Sequence, residues 1–123
     1  MSTPAPPQAT PATQEHADAA LAMACLDLTE LGDHCNAADI DSLCQRAPGW
    51  PGRLPAVAAV CVWPRWVAHA RAALPSHVAV AAVVNFPSGD QPLATTLAEV
   101  ALLRAGGASE VDMVFPHRRW RAG

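Results

Sequence analysis

Apolar residues in this chain fall into short runs of β-branched and small side chains, and between the runs they recur at helical spacing before a proline or glycine. Residues 25–29, 56–63, 78–86 and 110–115 read as strands. The second run is continuously apolar, as in strands covered on both faces, and the third has Asn85 as its only polar member. The first alternates and puts Asp27 and Thr29 on one side, and the last carries one carboxylate, Asp112, among apolar neighbours. Burying an acid in such a strand costs several kcal/mol unless it is paired or hydrogen-bonded.

Helices are expected between these runs. An alanine-rich helix over residues 14–24 precedes the first strand. Asn36 caps a second helix with Asp39 in its first turn, and Ile40, Leu43, Cys44 and Ala47 follow at helical spacing until Pro48. Pro64 opens a third over residues 65–74, with Trp66, Val67, Ala70 and Leu74 on one stripe. Asp90 reads as the cap of a fourth, with Pro92 in its first turn. Leu93, Leu97, Val100, Ala101 and Arg104 mark one side of it, and Gly106-Gly107 ends it. Helices alternating with strands, without hairpin signals, predict an α/β fold with a parallel sheet. Two architectures fit, an open doubly wound sheet or part of an eight-stranded barrel. The single glycine after the first strand, Gly32, counts against a dinucleotide-binding sheet.

Length and composition narrow this further. The 123 residues suffice for one domain. Residues 2–13 are proline-rich and uncharged, so a disordered tail is expected over residues 1–13 and the folded domain over residues 14–123. Charged residues make up only 15%, which excludes a nucleic-acid binder by composition. The charge is also segregated: seven acids and no arginine or lysine lie in residues 1–45, eight arginines and four acids in residues 46–123. No basic residue precedes Arg46, and no apolar run reaches the ~18 residues of a membrane span, so a cytoplasmic protein with no membrane partner is expected. Cys25, Cys35, Cys44 and Cys61 form no C-x-x-C pair and read as reduced thiols, and no metal site or cofactor is expected. The sequence contains no lysine.

Candidate chemistry lies where strands end. Asp27 with Thr29, then Cys61, Asn85 and Asp112 stand one group to a strand, mostly towards its carboxyl half. In a parallel barrel these positions would face one mouth. Asp27 and Asp112 are candidates for proton transfer or for orienting water. The same residues also allow plainer roles: Asp112 capping a loop or pairing with an arginine, and unrelated polar groups on a rim. A redox role for Cys61 has no resolving motif to support it.

The strings Leu26-Asp27-Leu28-Thr29, Cys61-Val62-Trp63-Pro64-Arg65, Asn85-Phe86-Pro87-Ser88-Gly89 and Glu110-Val111-Asp112-Met113-Val114-Phe115-Pro116 resemble, in order and spacing, the first four strand ends of deoxyribose-phosphate aldolase. The resemblance spans residues 14–123. It implies the first half, about (β/α)4, of a TIM (β/α)8 barrel with an extra N-terminal helix. It also implies a class I aldolase that cleaves 2-deoxy-D-ribose 5-phosphate to D-glyceraldehyde 3-phosphate and acetaldehyde through a lysine Schiff base. Carried over by residue, Asp112 matches the catalytic aspartate and Asp27 the second acid of its network. Cys61 matches a thiol near the reacting centre, and Thr29, Leu31 and Asn85 would line the substrate pocket.

The resemblance also implies that the Schiff-base lysine and the phosphate loops belong to strands beyond the fourth. Arginine cannot replace that amine, because its guanidinium stays protonated. The expectation is a chain without aldolase activity of its own. Its partners would be a phosphorylated sugar once the barrel is complete, and a carboxy-terminal half or another copy of itself.

Overall fold

The structure, a computed structural model, describes residues 11–123. Its elements run α1 (Pro11–Ala24), β1 (Asp27–Glu30), α2 (Ala37–Arg46), β2 (Ala59–Val62), α3 (Val67–Ala73), β3 (Ala79–Val84), α4 (Leu93–Gly106), β4 (Glu110–Met113) and α5 (His117–Ala122). Of the expected tail, residues 1–10 lie outside the described residues, and residues 11–13 form the first turn of α1 instead. Helix α5 was not expected.

All four strands pair in parallel, in the order β1-β2-β3-β4. That order decides between the two architectures. A doubly wound sheet reverses its strand order at a switch point and carries helices on both faces. Here strand follows strand, and one core joins Val60, Val62, Val80, Ala82 and Val84 of the sheet to Ile40, Leu43, Val67, Ala70 and Leu103 of the three helices. With α2, α3 and α4 on a single face, the molecule is a sector of a barrel. The other face, which we call the open face, holds a small cluster of Ala59, Cys61, Ala81 and Val83, with Leu31, Trp63, Ala79 and Phe86 against it.

Local chemistry explains most of the element ends. The Asn36 side chain accepts from the N–H groups of Ala38 and Asp39, while Asp39 Oδ2 accepts from Asn36 N–H at 2.9 Å, a reciprocal capping box. Pro64 begins a single 3-10 turn, Pro64–Trp66, that leads into α3. Arg71 closes the turn from α3 to β3, its guanidinium donating to the carbonyls of Leu74, Pro75 and Val78. Helix α4 ends as expected: Gly107 takes a left-handed φ of 92°, and Ala108 N–H donates back to Leu103 O.

Two expectations about α4 are corrected. Asp90 does not cap it; Pro92 occupies that position without a side-chain bond, and Asp90 pairs with Arg118 of α5 at 2.8 Å. The buried face is Thr96 and Leu103 with Val100 beside them, whereas Leu93 and Leu97 face outward. Apolar residues surround this helix, so spacing alone does not choose a face.

Strand β4 brings the third correction. All four of its residues are exposed, Asp112 included. The apolar neighbours of Asp112 suggested a buried carboxylate, but β4 is the outer strand of the sheet. Val111 and Met113, in register with Ala82 and Val84 on the helix-covered face, stay 47% and 54% exposed.

Candidate active site

Parallel pairing places register partners on the same face. Thr29 lies opposite Cys61, Cys61 opposite Ala81, and Ala81 opposite Glu110; one step along, Asp27 lies opposite Ala59, and Val83 opposite Asp112. Asp27, Thr29, Cys61, Glu110 and Asp112 therefore share the open face. The sheet brings together Asp27, Thr29, Cys61 and Asp112 and adds Glu110, while Asn85, expected on the third strand, falls just past β3 and is not in this group. Glu110 was missed, although it stands two residues before Asp112 and strand periodicity puts both on one side.

Cys61 is the centre of the group. It is only 2% exposed, and its Sγ lies 4.0 Å from Asp112 Oδ2. Burial, followed by the negative charges of Asp112, Asp27 and Glu110, pushes its thiol up to about 11. Such a thiol stays protonated at neutral pH and is a poor nucleophile. Its position suits a small neutral group beside carboxylates, and the redox reading receives no support. Asp112 itself has no ion pair among the described residues, since Arg118 is taken by Asp90. The arginine-paired alternative for Asp112 therefore fails.

The remaining candidates border this group. Thr29 Oγ1 donates to the carbonyl of Asp27, two residues back on the same strand. Leu31 packs on the small cluster beneath Cys61. Trp63 meets Phe86 edge to face at 5.2 Å, forming a wall at the carboxyl ends of β2 and β3. Asn85 is buried just past β3; its Nδ2 donates to Val114 O and its Oδ1 accepts from Gln91 N–H, both at 2.9 Å. No group of three or more His, Cys, Asp or Glu suited to a metal occurs among the described residues. No described helix is long and apolar enough to cross a membrane.

A concavity also lies elsewhere among the described residues. A groove of about 660 Å³ runs between Met23, Leu28, Trp50, Leu54 and Val57, at the amino end of β1. It is mostly apolar and holds none of the carboxylates of the open face.

No protein-family model matches the chain. A curated deoxyribose-phosphate aldolase from Agrobacterium fabrum is 47% identical over 107 residues, which cover 85% of this chain and 40% of that protein. A structure assigned as deoxyribose-phosphate aldolase from Coccidioides immitis superposes with a TM-score of 0.67 at 30% identity, over 76% of this chain and 36% of the other. One from Toxoplasma gondii reaches 0.72 at 21% identity, over 93% and 44%, a likeness of fold alone. The chain thus spans less than half the length of the proteins it matches. Sequence and fold together relate this partial TIM barrel to the deoxyribose-phosphate aldolases.

Proposed function

We propose that the chain supplies the acid and base side of an aldolase site, and that the amine for a Schiff base comes from outside these 123 residues. The observation behind this is the set of three carboxylates, Asp27, Glu110 and Asp112, that share the open face around Cys61. The reaction is the reversible cleavage of 2-deoxy-D-ribose 5-phosphate to D-glyceraldehyde 3-phosphate and acetaldehyde, a carbon–carbon lyase step of deoxyribonucleotide catabolism in the cytoplasm.

A carbinolamine must lose water to become an imine, and the carbon acid of the enamine must gain or lose a proton. Asp112 is the group for those transfers, and Asp27 is the second acid of its network. Thr29, Leu31 and Cys61 line the pocket, and Asn85, whose amide is held by the backbone of Gln91 and Val114, borders it. No cofactor or metal enters this chemistry.

The test is complementation. The chain alone should neither cleave the sugar phosphate nor form an imine that borohydride traps. Mixed with a lysine-bearing carboxy-terminal half of such an aldolase, it should restore cleavage, and Asp112→Asn in this chain should then lower the rate by about 100-fold or more. Turnover by the chain alone with a trapped imine would overturn the proposal, as would a complemented activity indifferent to Asp112→Asn.

A second reading, a non-catalytic half-barrel that associates with itself, draws on one observation. Val111, Met113 and Phe115 stand exposed along the outer strand and its exit. An uncovered strand edge with apolar neighbours favours pairing.

A further inference from the structure

Asn85 is 5% exposed and is the one non-glycine residue among those described with a positive φ, 55°. Asparagine tolerates that conformation better than most residues. Its backbone N–H donates to Glu99 Oε2 of α4 at 2.9 Å, and its carbonyl accepts from Gly89 N–H at 2.8 Å. Its side chain spans a wider gap. Oδ1 takes the N–H of Gln91, and Nδ2 donates to the carbonyl of Val114, just beyond β4.

Val114 is two residues past Asp112, and its own N–H donates to Val84 O at 3.1 Å. The chain leaving β4 is therefore fastened to β3 on both sides of Val114. The loop after Asn85 presses on the next residue as well: at Gly89 an added Cβ would sit 2.7 Å from Phe115 O. A four-residue strand paired on one side only would fray at its end without such an anchor.

We propose that Asn85 is a positioning residue for Asp112: by holding the Val114 carbonyl it fixes the carboxyl end of β4, and with it the Asp112 carboxylate against Cys61 Sγ. The catalytic meaning of this rests on the acid–base reading of Asp112, but the geometry does not. Asn85 acts through the backbone, its amide committed to the Val114 carbonyl and the Gln91 N–H.

The test reads the Asp112–Cys61 contact directly and needs no aldolase turnover, so its failure is distinct from failure of the lyase reading. The Cys61 titration is followed by its 13Cβ chemical shift against pH, resolved from Cys25, Cys35 and Cys44 by assignment, which needs no reagent to reach a thiol only 2% exposed. Asp112→Asn removes a negative neighbour and should move the Cys61 profile to lower pH. Asn85→Gly keeps the left-handed backbone and deletes the amide; it should move the profile the same way, by at least half as much. Added to Asp112→Asn, it should move the profile no further. An unchanged profile in Asn85→Gly, or an equal shift in both backgrounds, would overturn the proposal. If Asn85→Gly does not fold, Glu99→Gln, which weakens the hold on Asn85 N–H, takes its place in the same cycle. A shift present only with Asp112 intact then supports the proposal, and any other result overturns it.

Discussion

At the scale of single residues, the centre of the candidate site is a thiol surrounded by carboxylates, and that arrangement links stability to pH. Folding raises the Cys61 thiol from 9.0 to about 11, mainly through burial. The folded state thus keeps a proton that the unfolded chain gives up first. The associated stability is fully present below pH 9 and is lost as pH rises through 11, a change of about 2 to 3 kcal/mol. Urea midpoints should fall across that window in the wild type, and Cys61→Ala should flatten the fall. Strand parity made Asp27, Thr29, Cys61 and Asp112 legible as companions, and it holds in the structure because parallel partners share a face. The exposure of Asp112 was not legible, since a run of apolar neighbours looks the same in a central strand and in an outer one.

Among the elements, α2 and α4 show where pattern succeeds and where it fails. Asn36 was readable as a cap because its contacts are local, within three residues. Asn36→Ala should cost about 1 kcal/mol in chemical denaturation, with the m-value unchanged. Asp90 carries a similar local signal, yet α5 claims it through Arg118, and Arg119 donates to the Asp90 and Gln91 carbonyls. A contact across 28 residues is invisible to a local rule. In α4 the spacing of Leu93 and Leu97 pointed to the wrong face. Leu103→Ala should destabilise by about 2 to 5 kcal/mol and Leu97→Ala by less than about 0.5, so paired thermal melts of the two variants measure which face is the core.

For the molecule as a whole, alternation of helix and strand was enough for a parallel sheet, but not to separate a barrel from a doubly wound sheet. Strand order and the side on which helices lie are long-range properties, and only the observed order β1-β2-β3-β4 with one helical face decides. An open sector has two free edges. The apparent mass in light scattering should therefore rise with concentration, and Met113→Arg, which charges the outer strand, should reduce that rise. A mass that stays monomeric at high concentration would remove the self-association reading. The segregated charge, acids before residue 46 and all eight arginines from there on, predicts that any such association weakens in high salt.

The open face has one more property. Where barrel interiors are usually filled by bulky branched side chains, the middle of this sheet presents Ala59, Cys61, Ala79 and Ala81. These small residues are nonetheless buried, Ala59, Cys61 and Ala81 at 0% to 2% exposure, with Leu31, Trp63 and Phe86 packed around them. Solvent therefore reaches the polar groups at the margins, Asp27, Glu110 and Asp112, and not the middle of the sheet.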